Sequence, residues 1–200
     1  MMSPPFSRTL FDLVREQAQA LPLATALVCT QGRFSYCDLA DRAARVAVAL
    51  RASGVQKGDR VGLLLGNCVE WLDVCLGAGA VGAVAVPLST WSTRSELTFL
   101  LPDAKLSLLV ASAHFGGHNF EADLVALQGM QGMLAPDRVW LLGGLDSRFP
   151  SYEDMLANTA AFEVLPPGQA ASAADDALVL YTSGSTSAPK AVPPAPFRSN

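Results

Sequence analysis

Residues 60–65 read RVGLLL, apolar from Val61 onward with no alternation. A strand with one wet face alternates polar and apolar residues, so an unbroken apolar run must be covered on both faces. Four more short apolar runs follow: Val84–Val86, Leu106–Val110, Arg138–Leu142 and Ala177–Tyr181. Helical patterns lie before and between them. Leu10, Leu13, Val14 and Ala18 recur at helical spacing within Ser7–Ala20. A second helix is expected over Tyr36–Ala52, with Ser35 as N-cap, Asp38 at the third helical position and Gly54 closing the end. Asn67-x-x-Glu70 is expected to open a third helix as a capping box, and Thr93-x-x-Glu96 a fourth, running through Leu101. Phe120–Leu127 is a further possible helix, and Ser151-x-x-Asp154 starts a short one. Ala24–Cys29 and Phe34–Tyr36 make short strands that turn at Gly32. This alternation predicts an α/β fold: a largely parallel sheet flanked by helices.

The 200 residues are 50% hydrophobic and 16% charged, enough apolar material for one domain or a large piece of one. A net charge of −4 without a basic stripe argues against a nucleic-acid partner. Cys29, Cys37, Cys68 and Cys75 form no C-x-x-C pair and read as buried small hydrophobes of a reducing compartment. His114 and His118 could share a metal if helical, but Gly116 and Gly117 disfavour a helix, so a loop with two solvated histidines is expected and no metal ligand is assigned. Arg8 and Asp12 interrupt any apolar leader, so no signal peptide is expected. Val74–Leu88 is Gly/Ala-rich, too short for a membrane span and punctuated by Pro87, so it reads as a buried helix followed by a strand. Together these features predict a cytoplasmic location without a transmembrane segment. Ala160–Asp176 reads as loop or linker.

Leu180–Lys190, LYTSGSTSAPK, carries the strongest chemical signal. A strand runs into Thr182, Ser183, Gly184, Ser185 and Thr186, with Lys190 beyond. Polyphosphate needs short donors, close backbone approach and a cation, and this stretch supplies all three, although a Ser/Thr-rich surface turn has the same composition. A Walker A loop fails, because Pro189 stands at its second glycine and Ala191 at its Ser/Thr. Ser187-x-x-Lys190 matches S-x-x-K, but Pro189, Pro193 and Pro194 oppose the helix that motif needs. Gly77, Gly79 and Gly82 match G-x-G-x-x-G. A dinucleotide site requires strand, glycines, then helix, whereas here a helix comes first and a strand follows. These glycines are therefore expected to serve close helix–sheet packing.

LYTSGSTSAPK resembles the phosphate-binding signature of the adenylate-forming superfamily, which includes acyl-CoA synthetases, nonribosomal peptide adenylation domains and luciferases. FSYCDLADRAARVAVAL, GVQKGDRVGLLLGNCVEWL and GAVAVPLSTWSTRSELTFLL are similar to its N-terminal blocks, in the same order, and Asp175 and Asp176 resemble its lead-in to the last strand. EWLDVCLGAGAVGAVAVPLST looks most like the acyl-CoA synthetases of fatty acid metabolism. The resemblance spans about residues 7–192. It implies activation of a carboxylic acid by ATP with Mg2+, giving acyl-AMP and pyrophosphate, and then transfer to CoA. It also implies that Thr182, Ser183, Gly184, Ser185, Thr186 and Lys190 grip the β- and γ-phosphates.

Two departures stand out. Ser187 occupies a position where the family usually has glycine; if that position needs positive φ, serine is strained there. After Lys190 the family continues into a hydrophobic strand, whereas this chain reads AVPPAPFRSN, and three prolines within four residues cannot continue a central strand. The expected organisation is thus a partial AMP-binding domain over 7–192, an incomplete N-terminal subdomain, with an atypical Pro-rich tail over 193–200. No catalytic residue is assigned. The expected function is that of an N-terminal ligase fragment, inactive alone. The alternatives are a non-catalytic module that docks onto a complementary C-terminal chain, an inert product of a broken gene, a fragment of a nonribosomal-peptide-type adenylation domain, or an NAD-binding oxidoreductase using Gly77–Gly82.

Overall fold

The computed structural model describes residues 9–146, 148–157, 171–182 and 190–192. The first helix, α1 (Leu10–Ala20), begins where Thr9 Oγ1 accepts the Asp12 N–H at 3.1 Å and the Asp12 carboxylate accepts the Thr9 N–H. A hairpin follows, β1 (Thr25–Cys29) antiparallel to β2 (Gly32–Ser35), and Gly32 takes φ +136° at its turn, a conformation only glycine adopts without strain. Helix α2 (Tyr36–Ala52) has the expected bounds, with Ser35 and Asp38 capping each other and Gly54 at φ +83° just past the end.

The body is a doubly wound βα array: β3 (Arg60–Leu64), α3 (Val69–Ala80), β4 (Val84–Pro87), α4 (Arg94–Ala104) and β5 (Leu108–Ser112). It continues through a two-residue hairpin, β6 (His114–Phe115) and β7 (His118–Asn119), to α5 (Phe120–Leu127), β8 (Val139–Leu142) and α6 (Tyr152–Ala157). Four of the strands form the central sheet in the order β4-β3-β5-β8, all parallel. One face carries α1, α2, α3 and α6, packed around Val46, Leu50, Val74 and Trp140; the other carries α4 and α5, packed around Leu97, Leu101, Phe120 and Leu124. Within β3, Val61 and Leu63 enter the first layer and Leu64 the second, which is why RVGLLL does not alternate.

Several local expectations are corrected. Helix α3 starts one residue after Cys68, and Asn67 and Glu70 form no capping box. Instead Gln31, from the β1–β2 turn, accepts the Val69 N–H at 2.8 Å and donates to both Glu70 oxygens, so the cap arrives from a distant segment. Helix α4 runs past Leu101 through Pro102 to Ala104, ending at Lys105 in the left-handed region; a proline in the last turn forfeits only one helical bond. Strand β5 starts at Leu108, two residues later than expected. The cysteines are half-buried rather than buried. Among the described residues, no helix is long and apolar enough to cross a membrane.

A buried polar knot joins four elements of the first layer. Asp73, fully buried on α3, receives two bonds from Arg42 Nε at 3.0 and 3.1 Å and one from Nη2 at 2.6 Å, and Tyr152 Oη donates to it from 3.4 Å. Arg42 also reaches Glu70 at 3.5 Å and lies over the Phe34 ring. Burial pushes the Asp73 carboxyl above its ordinary range, and the Arg42 contacts offset part of that shift.

Candidate functional site

In parallel α/β sheets, ligands bind outside the carboxyl ends of the strands, where the loops converge. The expected strand Ala177–Tyr181 reaches this sheet at one residue. Leu178 bridges Ala85 of β4 in parallel; the Ala85 N–H donates to the Ala177 carbonyl at 3.0 Å and the Val179 N–H to the Ala85 carbonyl at 2.9 Å. Being parallel to β4, the segment leaves on the carboxyl side. It then departs from the sheet as β9 (Leu180–Thr182) and pairs antiparallel with β10 (Lys190–Val192), with Lys190 opposite Thr182, Ala191 opposite Tyr181 and Val192 opposite Leu180.

Of the residues expected to grip phosphate, the structure therefore brings the backbones of Thr182 and Lys190 side by side. Ser183, Gly184, Ser185, Thr186 and Ser187 fall between them, outside the described residues, as do the side chains of Thr182 and Lys190. The return strand was not anticipated: three residues of β10 fit between Lys190 and the prolines that begin at Pro193.

Two side-chain contacts flank this segment. At its entry Lys57 Nζ meets Asp175 Oδ2 at 2.7 Å, and the Ser172 N–H donates to the same oxygen. Burial pushes the Asp175 carboxyl up, but the Lys57 and Ser172 donors together outweigh it and hold the carboxyl below its ordinary range. At its exit Tyr181 Oη donates to Asp103 Oδ2, in the last turn of α4, at 2.9 Å. Burial and the neighbouring Asp103 carboxylate push the Tyr181 phenol up to about 12.

The other candidate motifs resolve differently. Gly77 packs against helix α2 rather than the sheet: a Cβ there would meet Val46 Cγ1 at 2.7 Å and the Ala43 carbonyl oxygen at 3.0 Å. A Cβ on Gly79 would meet nothing, and Gly82 sits at φ +73° in the turn after α3. The expected close helix–sheet packing is thus a helix–helix contact at one glycine. Of the two histidines expected to be solvated, His114 is exposed and His118 is not free. His118, in β7, stacks on Phe120 with centroids 4.3 Å apart, and its Nε2 lies 2.6 Å from Asp123 Oδ2, whose other oxygen accepts from Arg94 Nε at 2.6 Å. Among the described residues, no group of three or more His, Cys, Asp or Glu is placed to hold a metal ion.

A groove of about 920 Å³ opens between α1, α3 and residues 171–178, lined by Leu13, Trp71, Leu72, Cys75 and Leu178 with Asp175 and Asp176 at its rim. An apolar wall with acidic neighbours is unsuited to polyphosphate, and the groove lies at the entry of the bridging segment.

A sequence model of the AMP-binding enzymes matches residues 14–194. The chain belongs to the AMP-binding enzyme family. Over 171 residues it is 36% identical to the acyl-CoA ligase sidI of Aspergillus fumigatus, spanning 81% of this chain and 29% of that protein. Over 173 residues it is 31% identical to a crotonobetaine/carnitine–CoA ligase of Escherichia coli, spanning 84% of this chain and 32% of that protein. A crystal structure of the anthranilate CoA ligase AuaEII, solved with anthranoyl-AMP, matches the fold at a TM-score of 0.81 and 24% identity, covering 95% of this chain and 35% of that one. This AMP-binding chain thus spans about a third of the length of the relatives it matches.

Proposed function

We propose that the chain is the N-terminal part of an ATP-dependent carboxylate-activating ligase, which forms an acyl-adenylate and then an acyl-CoA thioester. The observation that carries this reading is the β9–β10 hairpin. It leaves the sheet on the carboxyl side and returns at Lys190 opposite Thr182, and the sequence between the two is the Ser/Thr/Gly stretch of a family whose relatives named above are CoA ligases. In that role the hydroxyls of Thr182, Ser183, Ser185 and Thr186 donate to the β- and γ-phosphates of Mg2+-bound ATP. Gly184 lets the backbone approach, and Lys190 supplies counter-charge. Holding the chain of phosphates fixes the α-phosphorus for attack by a carboxylate and draws charge toward the leaving pyrophosphate.

Residues 7–192 would then form a partial AMP-binding domain, with 193–200 as an atypical tail, and the intact enzyme would work in the cytoplasm on a small carboxylic acid, ATP and CoA. Because the chain covers 29% and 32% of two relatives, we read it as inactive alone: positioning supplies much of the catalytic power, and part of a site supplies little of it. The test pairs ATP–pyrophosphate exchange with MgATP titration of the chain and of Lys190→Ala. The expected result is no exchange, together with saturable binding that weakens about tenfold or more in the variant. Robust exchange by the chain would refute its inactivity. Equal binding by the two proteins would refute the phosphate role.

A further inference from the structure

The segment that delivers the phosphate loop is weakly built into the sheet. Leu178 is its one bridged residue, with two backbone bonds to Ala85, whereas β3 is in register with β4 and β5 over four residues on each side. Beyond Val179 the chain pairs only with the three-residue β10 among the described residues. So short a two-stranded ribbon is marginal by itself, and its direction depends on what else holds it.

What holds it is a pair of side-chain tethers, one at each end. Lys57–Asp175 fixes the entry. At the exit, Tyr181 immediately precedes Thr182, the first residue of the loop, and its hydroxyl is bound to Asp103 at 2.9 Å. Asp103 stands on firm ground: α4 buries Leu97, Leu100, Leu101 and Ala104, and Arg60 Nη1 donates to the Ala104 carbonyl at 3.1 Å. Tyr181 also packs against the second core layer beside Val179. A hydroxyl-to-carboxylate bond is short, directional and stronger than a neutral one.

We propose that Tyr181 and Asp103 are positioning residues for the polyphosphate loop: their hydrogen bond aims β9, and with it Thr182, by tying the hairpin to the end of α4. This rests on the reading of 182–190 as a phosphate loop. It adds that the aim of β9 depends on a helix 78 residues earlier in the chain. Neither residue touches the nucleotide.

The test uses the full 200-residue chain and four variants: Tyr181→Phe, Asp103→Ala, Asp103→Asn and the double variant Y181F/D103A. Hydrogen exchange of the 179–182 amides is compared with that of β3 and β5, and MgATP affinity is measured alongside. Y181F and D103A should exchange about three- to tenfold faster at 179–182 with β3 and β5 unchanged, and should bind MgATP weaker by a similar factor. D103N keeps a carbonyl acceptor and should stay near the parent. The double variant should be no worse than either single one, because both remove the same bond. Unchanged exchange at 179–182, or equal acceleration throughout the sheet, would overturn the tether. So would unaltered MgATP affinity in Y181F where Lys190→Ala loses binding. If Lys190→Ala binds as well as the parent, the phosphate reading fails instead, and the exchange data still decide whether the bond holds the hairpin.

Discussion

Gly77 and Gly79 belong to one motif and one helix, yet the structure assigns them opposite responses to the same substitution. In Gly77→Ala the new methyl would lie 2.7 Å from Val46 Cγ1, 2.8 Å from Val46 Cβ and 3.0 Å from the Ala43 carbonyl oxygen. Neither Val46 Cβ nor a helical carbonyl can rotate away, so α2 and α3 must separate. Overpacking of this kind costs about 1–3 kcal/mol, and the better helix propensity of alanine returns up to about 1 kcal/mol. The net expectation is a loss of about 1–2 kcal/mol. In Gly79→Ala the methyl meets nothing within 4 Å, so only the propensity gain remains, about 0.5 kcal/mol so near the helix end. The two variants should differ by about 2 kcal/mol, which for a chain of this size separates their melting temperatures by about 4–8 °C. Urea unfolding followed by far-UV circular dichroism reads the difference directly. If both substitutions shift the midpoint in the same direction by the same amount, the close α2–α3 contact at Gly77 is refuted.

Removing Asp73 by Asp73→Ala strands Arg42 beside a half-buried wall and leaves Tyr152 without its acceptor; a loss of about 2–4 kcal/mol is expected, reduced because Arg42 is partly solvated. A urea midpoint unchanged from the parent would show that the knot contributes nothing. Asp123 gives a pH test. Burial raises its pKa, but bonds from His118 and Arg94 outweigh that and hold it below the unfolded value of 3.8. A depressed carboxyl lends stability that is present above the unfolded pKa and lost as pH falls through the folded one. At pH ~5 the parent should thus be more stable than Asp123→Asn by about 1 kcal/mol, and the gap should close as pH falls below ~4. A gap that widens on acidification contradicts the assignment.

How much of this was legible in the sequence depends on how local each signal was. Both ends of α2 could be read because its cap, Ser35 with Asp38, and its terminator, Gly54, lie within the helix's own neighbourhood. The start of α3 could not, because its cap is Gln31, a residue of another hairpin that only folding brings to Val69. Arg42 and Asp73 carry no spacing signal for the same reason; each reads as an ordinary charge on an amphipathic helix until α2 and α3 pack. His118 looked like a solvated loop residue because Gly116 and Gly117 excluded a helix, and nothing local showed that a hairpin would turn it onto Asp123 and Phe120.

The amino-acid order alone determined the α/β class and the doubly covered strands, since apolar periodicity and capping act between near neighbours. Tertiary structure decided the rest: which glycine bears a helix contact, that Lys190 returns as a strand opposite Thr182, and that Tyr181 is bonded to Asp103. Those facts depend on distances between segments remote in sequence. Such distances are fixed when helices and strands bury a shared core, not by any property a residue carries before it does so.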